Sequence, residues 1–242
     1  MSLNLSSDSA PAAFRPHWRE YLIEGAGLGL FMISASVFGV LLEHPLSPVR
    51  AALPDARVRR AVMGLAMGTT AVALIYSPLG QRSGAHFNPA VTLVFALRRE
   101  IAWGLAGGYV LAQIAGAVVG VWVAHAMFAE SILQISIKLR DGPAQAFAEF
   151  VAAFGLIAAI LGAVRFRPDA TPMIVGLYIT AAYWFTASTS FANPAVTLAR
   201  TLSNTFAGIA PVSAPMFILA QLAGALTANA LFVWLLVENR QP

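Results

Sequence analysis

Cysteine is missing from the 242 residues, lysine occurs once, at Lys138, and only 11% of the chain is charged. Without cysteine there is no disulfide framework, no thiolate metal site and no thiol nucleophile. The 15 basic residues outnumber the 11 acidic ones, but all except Lys138 are arginines. They are scattered at the ends of apolar runs and form no basic stripe, which excludes a nucleic-acid partner. The shortage of charge excludes more. A soluble domain is about 45–50% apolar and about 25% charged; this chain is 58% hydrophobic, with a mean hydropathy of +0.72. Such a composition cannot cover a globule with polar groups. It suits a bilayer, where one helical span takes about 20 apolar residues.

Long apolar runs are present at Tyr21–Leu42, Val58–Leu79, Ile101–Phe128, Ala144–Val164, Pro172–Ser190 and Val212–Val237. They predict six spans. Residues 1–19 are polar and predict a disordered lead-in. The first run is longer than a signal core and carries an acid, so no cleavable signal is expected. Two further apolar stretches, 88–97 and 193–202, are ten residues each. As helices they reach ~15 Å at 1.5 Å per residue, half a bilayer core, and so predict re-entrant half-helices.

The chain repeats itself. Asn88-Pro89-Ala90-Val91-Thr92-Leu93 recurs as Asn193-Pro194-Ala195-Val196-Thr197-Leu198, 105 residues on. AQIAGA at 112–117 is answered by AQLAGA at 220–225, and Glu24 by Glu149, each near the start of a span. The chain therefore divides into a first repeat, 20–128, with half-helix 88–97, a connecting loop, 129–143, and a second repeat, 144–238, with half-helix 193–202. Three spans per repeat make the second copy enter from the opposite side, an inverted pair. The positive-inside rule does not orient it: eight basic residues fall on one side and seven on the other.

Each Asn-Pro-Ala is a helix start. The Asn side-chain oxygen accepts from early helix N–H groups, Pro follows with suitable φ and no N–H to strand, and the Asn amide nitrogen is left to donate outward. Two such starts meeting at mid-membrane bring two donors and two positive dipole ends together. A neutral solute with a lone pair can pass by exchanging hydrogen bonds, while a cation is repelled and a protonated water chain is broken, as in pores built from half-helices.

The stretches SGAHFNPAVTL (83–93) and SFANPAVTLAR (190–200), with Glu24, Gln113, Glu149 and Gln221, make the sequence similar to the aquaporin, or major intrinsic protein, family over residues 20 to 238. The resemblance implies an all-α membrane protein of six transmembrane helices and two re-entrant half-helices. It also implies a pore in each subunit, a homotetramer, multi-pass residence in the inner (plasma) membrane and both termini in the cytoplasm. It implies no cofactor and no metal. Glu24 and Glu149 are candidates for a proton relay, as intramembrane acids are, or for satisfying loop N–H groups; the resemblance favours the second. His86 reads as loop packing or pore lining, and Gln113 and Gln221 as helix-to-loop bonds or solute contacts.

The resemblance also places a constriction, and there the sequence departs from the family. The usual filter arginine, three residues after the second Asn, is Val196. The fifth-span position, twelve before Asn193, is Ala181, and the second-span position falls on Met67 or Gly68. Ser190 contributes through its backbone. The loss of cation, imidazole and ring predicts a wider, less polar passage suited to glycerol, urea or undissociated metalloid acids such as arsenous acid. NPAV followed by TFAGI (205–209) resembles a bacterial branch linked to arsenic resistance. Arg200, four residues beyond Val196, or Phe191 could instead refill the constriction and leave a water-selective channel. The alternative from another class is a secondary transporter, since inverted repeats with broken helices occur there too, but the repeat-related acids are the only buried titrating pair. No HExxH and no nucleophile with a nearby base is present, so no enzyme activity is expected.

Overall fold

In a computed structural model, which describes residues 17–236, ten α-helices follow one another: α1 (Trp18–Glu43), α2 (Pro48–Ala52), α3 (Ala56–Tyr76), α4 (Pro78–Ser83), α5 (Pro89–Leu97), α6 (Trp103–Met127), α7 (Pro143–Phe166), α8 (Thr171–Phe185), α9 (Pro194–Arg200) and α10 (Ala214–Leu236). The expected tail 1–19 lies outside the described residues except for its last three, and Trp18 and Arg19 already belong to α1. Residues 237 and 238 of the second repeat also lie outside them.

Five helices, α1, α3, α6, α7 and α10, are long and apolar enough to cross a membrane. The fifth run is shorter as a helix than as a stretch of sequence. α8 ends at Phe185 after 15 residues, where Thr186 turns to extended backbone (φ −94°, ψ 140°), and Thr189, Ser190 and Ala192 beyond it take positive φ, which an α-helix cannot contain. The second run likewise breaks at Ser77, whose hydroxyl accepts from Gly80 N–H and starts α4 with Pro78. The half-helices begin where the motifs place them. Asn88 caps α5 and Asn193 caps α9, with Pro at the first helical position. α9 stops at Arg200, two residues short of the expected end.

Small residues let the helices cross closely, as membrane helices without a hydrophobic drive between them require. A Cβ placed on Gly116 of α6 would stand 1.9 Å from the Gly25 carbonyl oxygen of α1. One on Gly68 of α3 would stand 1.9 Å from Thr180 Oγ1 and 2.5 Å from the Gly176 carbonyl oxygen of α8. The outward faces are apolar: Leu22, Leu30, Leu111, Leu177, Leu219 and Trp234 are exposed, which suits lipid as the solvent. At the far end of α1, Arg59 grips Glu43 with two bonds of 3.1 and 3.3 Å and holds the Leu53 and Pro54 carbonyls. The connecting loop runs back over the second half-helix. Ser136 N–H donates to the Thr201 carbonyl (2.8 Å), and Ala210 N–H to the Lys138 carbonyl (2.7 Å).

Candidate functional site: two asparagines between two cavities

The loops that lead into α5 and α9 have the same conformation 105 residues apart. Gly84, Ala85 and Phe87 take positive φ in the first, and Thr189, Ser190 and Ala192 in the second. Ser83 Oγ accepts from Ala85 N–H, and Ser188 Oγ from Ser190 N–H. This left-handed backbone turns consecutive N–H groups to one side, where each loop meets a buried carboxylate. Glu24 accepts from His86 N–H (3.0 Å), Phe87 N–H (2.6 Å), Ser83 Oγ (2.7 Å) and Gln113 Nε2 (2.8 Å). Glu149 accepts from Phe191 N–H (2.8 Å), Ala192 N–H (2.8 Å) and Gln221 Nε2 (2.6 Å). Gln113 and Gln221 also donate to Thr92 and Thr197, the motif threonines. All four carboxylate and amide side chains are fully buried, where a peptide N–H without a partner is costly.

With their N–H groups so occupied, the loop carbonyls face the other way. Two of them meet the asparagines: Asn88 Nδ2 donates to the Ala192 carbonyl and Asn193 Nδ2 to the Phe87 carbonyl, both at 2.8 Å. Each Asn side-chain oxygen caps its own helix, at Ala90 N–H (2.9 Å) and Ala195 N–H (3.0 Å). The two half-helices therefore stand N-terminus to N-terminus, cross-linked by a reciprocal pair of bonds. The expectation that capping leaves each amide free is modified, since one of the two protons on each nitrogen is used and one remains.

Two cavities lie on either side of this plane. The inner, of about 380 Å³, is lined by Gly84, Ala85, His86 and Asn88 on one wall and by apolar residues of α1, α3, α7 and α8 on the others. The outer, of about 110 Å³, is lined by Leu42, Glu43, Arg60, Met63, Tyr183 and Phe206 among others. On α3, Met63 reaches the outer cavity and Ala71 the inner. Met67 is four residues from each and so faces the gap between them. On α8, Ile179 reaches the inner cavity and Tyr183 the outer. Phe31, Met67, Ile179 and Tyr183 belong to one apolar cluster and fill the gap.

The expected ring is thus only partly brought together. Met67 faces the gap, while Gly68 lies in the crossing with Gly176. Ala181 is two residues from both Ile179 and Tyr183, hence roughly on the opposite face of α8 at 100° per residue. Ser190 sits in the left-handed loop. Val196 is buried among Leu28, Met32, Val121, Ile209 and Phe217, and lines neither cavity. Phe191 packs edge-on against Phe217, with ring centroids 5.4 Å apart. His86 does both of the things considered for it. Its ring sits 4.8 Å from Phe95 and bonds Thr92 Oγ1, and it lines the inner cavity. Counting from the motifs missed Phe31, Tyr183 and Arg140. The motif distances assume a fixed loop length after α8, and nothing in the sequence of the connecting loop marks Arg140 as buried.

At the outer mouth, Arg140 donates to the carbonyls of Gly208 (2.9 Å), Ser188 (3.1 Å) and Phe206 (3.3 Å). Its guanidinium lies 4.9 Å from the Phe191 ring, and that of Arg200 lies 4.2 Å from it. Burial, and then the neighbouring charge of Arg140, push the Lys138 ammonium down to about 8. Among the described residues no group of three His, Asp or Glu side chains could hold a metal ion.

Comparison with known proteins gives four likenesses. The family model described as Major intrinsic protein matches residues 12–190. Aquaglyceroporin AqpS of Rhizobium meliloti (strain 1021) is 48% identical over 222 residues, covering 92% of each chain. The glycerol uptake facilitator protein of Bacillus subtilis (strain 168) is 31% identical over 134 residues, half of this chain and 48% of that one. Among solved structures, the aquaglyceroporin from Plasmodium falciparum superposes with a TM-score of 0.65 at 19% identity, covering 89% of this chain and 95% of that one, a likeness of fold.

Proposed function

The chain belongs to the major intrinsic protein family, and from that premise we propose that it is a passive channel for water and small neutral solutes, with the pore inside the single chain. The observation that carries the reading is the reciprocal pair of bonds from Asn88 and Asn193, which fixes two half-helix N-termini against each other between the two cavities. Each asparagine keeps one amide proton for a passing oxygen. The helix ends add a positive potential of roughly half an elementary charge each. Neutral solutes exchange hydrogen bonds there; cations are repelled, and a proton wire is interrupted because the central water must accept from both sides. The apolar walls of the inner cavity bind nothing tightly, which favours fast passage.

The solutes proposed are glycerol, urea and undissociated metalloid acids such as arsenous acid; the printed names of the relatives support the first. The same proposal includes a homotetramer in the inner membrane with both termini in the cytoplasm. Purified protein in liposomes tests it by stopped-flow light scattering, under a sucrose gradient for water and a glycerol gradient for solute. Fast shrinkage in sucrose and fast reswelling in glycerol, both well above empty liposomes and without current under voltage, are expected. Rates equal to empty liposomes from a folded, incorporated protein would overturn the reading. Chemical cross-linking in the membrane, with a ladder ending at four subunits, tests the assembly.

A further inference from the structure

A charged recess lies outside the pore, where α3 begins at Ala56 and α8 ends at Phe185. Ala56, Arg57, Arg60, Ala61 and Trp184 line it, around a volume of about 480 Å³. Arg57 and Arg60 are three residues apart, neighbours on one face of α3, and both are exposed. Neither guanidinium has a hydrogen-bond or ion-pair partner among the described residues. Arg59, between them in sequence, is the contrast: it is buried and makes four bonds, to Glu43 and to the Leu53 and Pro54 carbonyls. Two acids at this end of the protein are therefore engaged elsewhere. Glu43 is held by Arg59, and Asp55 turns to cap α3, accepting from Arg57 N–H at 2.7 Å. The positive pair is left without a counter-charge.

The other wall is the Trp184 ring. Gly64, seven residues after Arg57 on the same face of α3, makes room for it: an added Cβ there would stand 2.3 Å from Trp184 Nε1. Trp184 stays 45% exposed, a tryptophan at the end of a helix, as at the headgroup level of a bilayer. Below the recess the surface turns apolar. Leu65, four residues beyond Ala61, and Leu177, seven before Trp184, are exposed and continue the same two helix faces. Arg57 to Leu65 is eight residues, ~12 Å along the axis, close to the hydrocarbon depth of one leaflet, about 15 Å. Unpaired cations above an apolar crease, with an indole at the boundary, complement a molecule that is anionic at its head and apolar below. We propose that the crease between α3 and α8 binds an anionic phospholipid from the leaflet on the outer-cavity side. Its phosphate oxygens meet the planar forks of Arg57 and Arg60, a geometry that suits phosphate. Its glycerol region lies against Trp184, and a chain runs down over Leu65 and Leu177. The inference requires only that the chain resides in a membrane, and is independent of the channel reading.

Tryptophan fluorescence of the full chain in phosphatidylcholine vesicles tests it, with a small fraction of brominated phosphatidylglycerol or, in parallel, of brominated phosphatidylcholine. Bromine quenches an indole that it touches. Wild type is expected to be quenched more by the brominated phosphatidylglycerol, the excess saturating at low mole fraction. Trp184→Phe removes that excess and leaves the other four of the five tryptophans quenched alike by both lipids. Arg57→Gln and Arg60→Gln, exposed changes that leave the melting temperature near wild type, each weaken the apparent affinity for phosphatidylglycerol about fivefold, the contribution of one basic side chain at an anionic surface. Arg167→Gln, which changes an exposed arginine at the other end of the spans, leaves it unaltered. Equal quenching of wild type by both lipids overturns the site, as does an excess that survives Trp184→Phe or the double Arg57→Gln, Arg60→Gln variant. An excess abolished by millimolar inorganic phosphate overturns it in favour of a free-phosphate site. Loss of the cross-linked assembly in the double variant overturns it in favour of a contact between copies of the chain.

Discussion

At the scale of single residues, the two buried carboxylates carry the architecture of the pore. Glu24 receives four hydrogen bonds and Glu149 three, every donor but Ser83 and the two glutamines being a loop N–H. Glu24→Gln and Glu149→Gln each place an amide NH₂ against a donor. Hydrogen bonds to a charged acceptor contribute about 1.5–3 kcal/mol each, so each variant should lose several degrees of melting temperature in detergent and most of its water flux. A variant with wild-type stability but a shifted pH dependence of flux would point to a proton relay instead. These two acids were legible in the sequence because the repeat pairs them. The cavity-facing side of α8 was not: counting twelve back from Asn193 reaches Ala181, and the two residues that separate it from Ile179 and from Tyr183, which line the cavities, are 200° of rotation on a helix. A cysteine-free chain allows a direct check. Mercurials should leave the wild type unaffected, since it has no thiol. Met67→Cys should make water flux sensitive to them, and Ala181→Cys should not. The reverse sensitivity would place Ala181 in the lumen.

The elements show a second limit of sequence reading. Spans and half-helices were visible as runs of apolar residues and as Asn-Pro caps, because both signals are local. The break of α3 at Ser77 and the early end of α8 were not, since an apolar run does not register the left-handed residues that a membrane loop needs. Close crossings are equally hidden: a glycine in a helix reads as a weakness until its neighbour is known. Gly116 and Gly107 lie nine residues apart on α6 and make opposite predictions. A side chain at Gly116 meets the Gly25 backbone oxygen, which no rotamer change relieves. Gly116→Val should therefore force α1 and α6 apart and cost about 1–3 kcal/mol, as overpacking does. Gly107 has nothing within 4 Å of an added Cβ, so Gly107→Ala should stabilise by about 0.5–1 kcal/mol through helix propensity. Thermal unfolding followed by circular dichroism in one detergent separates the two. Equal melting temperatures would refute the account of the crossing.

For the whole molecule, the question is whether two inverted halves make a channel or an alternating-access carrier. A carrier needs halves that rock against each other and a titrating or ion-binding group that couples the motion to a gradient. Here the halves are pinned where a carrier would open. Asn88 bonds the second loop and Asn193 the first, and the connecting loop is laced to 201–210 by Ser136, Lys138 and Arg140. The acids nearest the centre, Glu24 and Glu149, have both oxygens occupied, so neither is placed to take up an ion from the lumen. The expected behaviour follows from this rigidity. Glycerol loaded on one side of a liposome should run down to equal concentrations and stop, at a rate that does not saturate in the millimolar range and is unchanged by a pH step of either sign. Counterflow exchange of labelled against unlabelled glycerol should show no transient accumulation. An overshoot driven by a proton gradient, or acceleration of efflux by unlabelled glycerol outside, would mean that the halves do move past each other and that the pinned asparagine pair is one of two states.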